Sequence, residues 1–197
     1  MTKQEFQKYW TLNYLDNIPL PHLLRQEYSE RWFRIHSLPE SKRYAENDKE
    51  FEIILNRQNE IMTDLFGLDT NILLVTGEYN WGDNRAIHIT DEQEIFKTYS
   101  FTRLDNIDLY KFNSEEYDEV DIYRPVFTET TWDLNKHNNI LLEIAEDKTR
   151  AFFMSFEKNI IVAPYDGGVD FILKDNLTKE FYKNKYTHWL SEREDGL

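Results

Sequence analysis

Three apolar runs lie close together near the C-terminal end: Ala151 to Phe156, Asn159 to Ala163 and Val169 to Leu173. The gaps between them leave room for little more than tight turns. Glu157-Lys158 is short enough to turn one hairpin, and Asp166-Gly167-Gly168 has the glycine content that a second reversal requires. This spacing predicts a three-stranded antiparallel meander, and the rest of the chain must supply elements that pack on it.

Those elements can be read in order. Thr2-Lys-Gln-Glu5 fits a capping box, and Phe6, Tyr9, Trp10, Asn13 and Tyr14 recur at spacings of three and four. A helix from about Thr2 to Asp16 follows, ended by Asn17-Ile-Pro-Leu-Pro21 because proline removes amide donors and restricts the residue before it. Trp32, Phe33 and Ile35, with Arg34 between them, read as a strand, and Ser37-Leu-Pro-Glu40 as a turn. Asn47 or Asp48 caps a long helix. Its face is Phe51, Ile54, Leu55, Met62, Leu65 and Phe66, and it ends near Gly67. The middle reads as strands at Ile72 to Thr76, Ala86 to Thr90, Ile95 to Thr102, Ile107 to Phe112 and Val120 to Phe127. A turn is expected at Asn80-Trp-Gly-Asp83. Antiparallel pairing with one buried and one wet face is expected here. A further amphipathic helix spans Asn135 to Asp147, and a terminal helix spans Leu177 to Leu190 with Phe181, Tyr182 and Trp189 as packing anchors. The fold class is α+β: an antiparallel sheet that includes the C-terminal meander, packed with about four helices.

A chain of 197 residues suits one domain, 1–197, and hides roughly 70% of the surface it exposes when unfolded. Thirteen Phe, twelve Tyr and five Trp supply bulky apolar area. Cysteine is absent, so disulfides, zinc ribbons and thiol chemistry are excluded and the fold rests on packing alone. MTKQEFQKYW has no apolar signal core. Runs such as Ile160 to Pro164 fall far short of the roughly 20 residues that span a bilayer. The expectation is a soluble, cytoplasmic protein.

Formal charge is −14. Nucleic-acid binding needs Lys and Arg to neutralise phosphates, and anionic lipid repels an acidic surface, so neither is an expected partner. A basic protein partner is favoured, drawn in by long-range attraction, although acidity also serves plain solubility. The densest acidic segment, Glu115-Glu116-Tyr-Asp118-Glu119-Val-Asp121, reads as an exposed loop and strand start.

Two constellations are candidate sites. Residues 22–43 carry Arg25, Arg31, Arg34, Lys42 and Arg43 against Glu27, Glu30 and Glu40, a local positive excess. Arg43 and Lys42 there suit a phosphate or carboxylate, with His36 as general acid or base. The same residues also serve to anchor the loop by pairing with nearby acids. In the second constellation, the Tyr165-Asp166 turn and Asp170 offer two carboxylates beside glycines. These suit a hard cation or, more simply, a tight turn. If the 36–44 loop meets the 164–170 hairpin, Arg43 and Asp170 are candidate partners of each other. His22, His88, His137 and His188 lack metal-ligand spacing, and no GxSxG, GxGxxG or Walker loop occurs, so no metal and no cofactor are indicated. Trp81 and Trp132, near turns, are candidate interface anchors.

Three motifs carry a family resemblance: His36-Ser-Leu-Pro-Glu-Ser-Lys-Arg-Tyr44, Pro164-Tyr-Asp-Gly-Gly-Val-Asp170 and Trp189-Leu-Ser-Glu-Arg-Glu-Asp-Gly-Leu197. In this order they resemble the bacterial domain-of-unknown-function family 3885. The resemblance implies a single bacterial domain and transfers no activity. Beside a scaffold or stress-related domain with no ligand of its own, two functions stay open. One is an acidic interaction module for a cationic partner, of which an immunity-type role is one version. The other is an enzyme whose 36–44 loop holds a small anionic substrate.

Overall fold

The computed structural model describes residues 1–81 and 93–191, with the Trp81 side chain outside the description. The strand expected at Ala86 to Thr90, and the Gly82-Asp83 half of the expected turn, lie outside these residues. Among the described residues there are six α-helices: α1 (Lys3–Tyr14), α2 (Pro21–Glu27), α3 (Asp48–Phe66), α4 (Leu109–Phe112), α5 (Asn138–Ala145) and α6 (Asn176–Lys185). Eight strands are β1 (Trp32–His36), β2 (Thr70–Trp81), β3 (Thr102–Arg103), β4 (Ile107–Asp108), β5 (Asp121–Trp132), β6 (Ala151–Ser155), β7 (Ile160–Tyr165) and β8 (Gly168–Ile172). They hydrogen-bond in the order β1-β8-β7-β6-β2-β5-β3, and β4 also pairs with β5. The fold is α+β with an antiparallel sheet.

The chain packs as two compact units, Met1–Pro19 with Leu74–Glu129 and Leu20–Leu73 with Thr130–Leu197. In the first, the capping box forms at Thr2, whose hydroxyl accepts from the Glu5 amide (3.3 Å) while the Glu5 carboxylate accepts from the Thr2 amide (2.6 Å). Helix α1 then buries Phe6, Trp10 and Tyr14 along one stripe, and Phe6 stacks on Phe127 of β5 at 4.7 Å. Gly77 in β2 is needed for packing. A Cβ there would lie 1.9 Å from the ring of Tyr123, which is buried and donates its hydroxyl to the Pro19 carbonyl. On the opposite face of β2, Glu78 is buried between Arg103 (3.1 Å) and Arg124 (2.9 Å).

In the second unit β8 sits between β1 and β7, with Arg34 opposite Asp170, His36 opposite Gly168 and Val162 opposite Phe171. The meander forms as expected. It presents no wet face: β6 and β8 are buried throughout and β7 up to Pro164. Helices and loops cover both faces, so wet positions are few. Helix α3 is capped by Asn47, whose side chain accepts from the Glu50 amide (3.2 Å). At its other end Lys158 donates to the carbonyls of Leu65 and Phe66, both at 2.9 Å. Asn59 joins α3 to the turn before α5, donating to Asn138 (2.8 Å) and accepting from the Asn135 amide (2.9 Å).

Several expected elements change type. Residues 95–102 were expected as a strand, but Glu94–Phe96 is a 3-10 turn and β3 begins at Thr102. The strand expected at 107–112 yields at Leu109 to α4, because the Asp108 side chain caps the Lys111 amide (3.1 Å). Strand β2 continues through Asn80 and Trp81, where a turn was expected. Helix α2 starts on Pro21, a residue read above as a helix stop. Proline at the first helical position is pre-set for a helix. The last helix ends at Lys185, and Phe181, expected as an anchor, is 62% exposed, while Trp189 is buried. Trp132 is fully buried and not available as an interface anchor.

Candidate functional site

Strand β1 alternates: Phe33 and Ile35 are buried, while Trp32, Arg34 and His36 point to the other face. The antiparallel register sets Arg34 across from Asp170. Arg34 donates to both carboxylate oxygens, Nε to Oδ1 at 2.7 Å and Nη2 to Oδ2 at 2.8 Å, and the Trp32 indole adds a third donor at 3.0 Å. The guanidinium lies 4.5 Å from the Tyr165 ring centre and 5.7 Å from that of Trp32. Gly168 makes room for this stack, since a Cβ there would meet the Ile35 carbonyl at 2.1 Å and the Tyr165 hydroxyl at 2.9 Å. Burial pushes the Tyr165 hydroxyl up to about 12.

The 36–44 loop meets the 164–170 hairpin. The Ser37 amide donates to Gly167 (3.1 Å), and Ser37 Oγ accepts from buried Gln58 (3.1 Å). Arg57 donates to the His36 carbonyl (3.0 Å) and lies over the Trp189 ring. Glu40 and Ser41 both have positive φ, 56° and 55°, a left-handed step that turns the chain back. Lys42 then reaches Glu50 at 2.7 Å and Glu46 at 3.1 Å. Arg43 reaches Asp166 at 2.9 Å, and the same carboxylate holds the Tyr44 hydroxyl above its usual range.

The expected pairing of Arg43 with Asp170 is therefore corrected. Asp170 belongs to Arg34, which shares its strand face, and Arg43 takes Asp166 at the turn. Trp32 is the residue that reading the sequence missed, and Arg34, counted above only in the local positive excess, is the true partner of Asp170. The alternation of Trp32-Phe-Arg-Ile-His36 was the available signal, but their partner needs the strand register. His36 Nε2 is buried without a hydrogen-bond partner. Burial first, then Arg34 and Arg57, hold its imidazole below the usual histidine range, in the neutral form. The Asp166 and Asp170 carboxylates are each taken up by an arginine. Among the described residues no group of three or more His, Asp or Glu side chains is placed to hold a metal ion.

The acidic segment divides. Glu115, Glu116, Asp118 and Glu119 are exposed, whereas Asp121, expected as part of the exposed patch, is 8% exposed and accepts from the Asp118 amide (2.9 Å). It closes the turn into β5. Tyr110, Phe112 and Val120, on either side of the acids, are exposed apolar groups.

The model of the family described as Domain of unknown function (DUF3885) matches residues 20–194. The chain belongs to this family. The DUF3885 match takes in all of the Trp32, Arg34, Tyr165 and Asp170 stack and the loop around Arg43, and leaves α1 outside. No curated protein and no solved structure matches the chain. No helix among the described residues is long and apolar enough to cross a membrane.

Proposed function

We propose that this DUF3885 protein is an acidic interaction module that binds a basic protein in a bacterial cytoplasm, an immunity-type role against a cationic toxin being its concrete form. The observation that carries the reading is where the charge falls. The first unit holds fifteen acids against seven basic residues, net −8 in 75 residues, and the second is net −6 in 122. Within the first unit Glu115, Glu116, Asp118 and Glu119 are exposed and hold no ion pair among the described residues. In the second unit Arg34, Lys42 and Arg43 are already paired with carboxylates. A basic partner approaching the acidic segment displaces water and counterions alone, and its encounter is accelerated by the field of the unit.

The test is the binding of a cationic probe protein to the full chain across a salt series. Replacing Glu115 and Glu119 by Gln, together with Glu116→Gln and Asp118→Asn, should weaken binding and flatten its salt dependence. Binding that keeps its strength and salt slope in this variant would remove the reading.

The enzyme alternative retains one supporting feature: the Arg43 side chain is 63% exposed, with Tyr44 beside it. A small anion would there compete with Asp166 for the guanidinium. Arg43→Ala should then abolish anion binding and leave the fold near native, as seen by calorimetry with inorganic phosphate.

A further inference from the structure

From the geometry at the end of β1 we infer that the 36–44 loop is an acid-released strap: a proton taken up by His36 frees it from the 164–170 hairpin. The inference goes beyond the partner reading and does not depend on it. His36 closes β1 opposite Gly168, and the backbone around it is tied on two sides. Arg57 of α3 donates to the His36 carbonyl (3.0 Å), and the next amide, Ser37, donates to the Gly167 carbonyl (3.1 Å). The ring nitrogen Nε2 is buried and has no hydrogen-bond partner among the described residues. A neutral imidazole can leave a lone pair at that place. A protonated one must put an N–H there without an acceptor, at the full desolvation cost of the donor.

The charges around the ring add to that cost. Arg34 stands two residues back on the same strand face and Arg57 reaches in from α3, and both oppose a further cation. The acids of the hairpin give no relief, because Asp170 is held by Arg34 and Asp166 by Arg43. Tyr165 of β7 lies over Arg34 as a neutral phenol, and on the Trp189 side the remaining titratable group is exposed His188. The strap itself is a balanced element. Leu38, buried in a cluster with Ile54 and Ala145, draws it shut. Glu40 and Ser41, with φ 56° and 55°, hold a left-handed backbone that works against closure. Lys42 keeps the Glu50 carboxyl below its usual range, so that tie stays charged while an imidazole titrates. His36 is then the group that moves the balance.

The experiment is hydrogen exchange of the Ser37 amide in the full chain at pH of about 7.5 and 5.5, corrected for intrinsic rates. A closed form that refuses the proton is favoured at high pH and loses ground as pH falls below 6.5, the ordinary histidine value. Protection of Ser37 should therefore drop about threefold to tenfold at the lower pH, tenfold being the ceiling that one imidazole proton sets over this interval. Exchange through a local strap opens little surface, so about 1 M urea should change the Ser37 rate less than about twofold, while global unfolding is favoured severalfold. His36→Asn should abolish the acid response and His188→Gln should leave it intact. In the unaltered protein the His36 ring proton should titrate with a midpoint below 6.5, a readout that needs no variant. Protection that is equal at the two pH values, a Ser37 rate that rises with urea in step with global unfolding, an acid response that survives His36→Asn or disappears in His188→Gln, or a His36 midpoint at or above 6.5 would each overturn the strap.

Discussion

The Arg34–Asp170 pair gives the most exacting prediction. The two side chains are 12% and 10% exposed, joined by two hydrogen bonds, with the Trp32 indole on the same carboxylate. Asp170→Asn leaves a buried guanidinium without its counter-charge. Breaking such a pair costs about 3–5 kcal/mol. The Tyr165 ring under the cation returns about 1 kcal/mol, so the expected loss is near the lower end, about 3 kcal/mol. For a chain of this length that lowers Tm by roughly 6–12 °C. Arg34→Met should cost a similar amount, since it strands the carboxylate instead. Arg34→Met combined with Asp170→Leu should recover to within about 1 kcal/mol of the parent, because two apolar groups strand no charge. Urea titrations followed by circular dichroism and by tryptophan fluorescence give the cycle, provided the two probes coincide. The comparison is Arg43→Ala: it also takes the counter-charge from a buried carboxylate, Asp166, but Arg43 is itself 63% exposed and water fills its place, so the loss should be smaller, about 1–2 kcal/mol. A loss below about 1 kcal/mol for Asp170→Asn, or a double variant no better than the singles, would refute the view that this stack locks β1 to β8.

Three further outcomes are expected. Gly168→Ala should destabilise by about 3 kcal/mol or more, seen as a fall in Tm, because the new Cβ meets the Ile35 carbonyl at 2.1 Å and backbone cannot step aside. Lys158→Met should cost about 1 kcal/mol and speed amide exchange in the last turn of α3, whose Leu65 and Phe66 carbonyls lose their donor. Burial holds both His36 and His137 below the ordinary 6.5, so the unfolded chain takes up protons that the folded chain refuses. Stability should be level above that pH and fall as pH drops below it. The urea midpoint between pH of about 7.5 and 5.5 reads this, and a His36→Asn, His137→Gln variant should flatten the slope.

How far the fold could be read from the chain depended on whether local chemistry and tertiary packing agreed. At Thr2 and Asn47 the cap, the apolar stripe and the burial all coincide, so α1 and α3 lie where their periodicity puts them. The meander was legible for the same reason: its turn residues and its apolar runs make one statement. The errors lie where two local signals compete. Ile107 to Phe112 has strand composition, yet Asp108 offers its side chain to the next turn and the backbone takes the helix after two strand residues. Pro21 is a helix stop when read from α1 and a helix start when read from α2, and only the following Leu24, buried with no exposed surface, decides for the second. Glu78 was invisible as a buried residue because its two arginines come from β3 and β5, distant in sequence.

The site was legible as two motifs and illegible as a set of pairs. That 36–44 and 164–170 could meet was visible; which acid each arginine takes depends on register, and one residue of slip would turn Arg34 into the core. Once Arg34 faces Asp170, Arg43 is left with the turn acid, Asp166, and Lys42 with Glu50. The three cations nearest the hairpin, Arg34, Lys42 and Arg43, are thereby paired inside the same unit. An anion arriving at Arg43 must compete with a carboxylate already 2.9 Å away, one that is itself 5% exposed and loses its counter-charge if displaced. A cation arriving at Glu115, Glu116, Asp118 or Glu119 meets exposed carboxylates in a unit that is already net negative. The first exchange strands a buried charge and the second strands none. That asymmetry, rather than the number of acids in the chain, is what favours a basic partner over an anionic substrate.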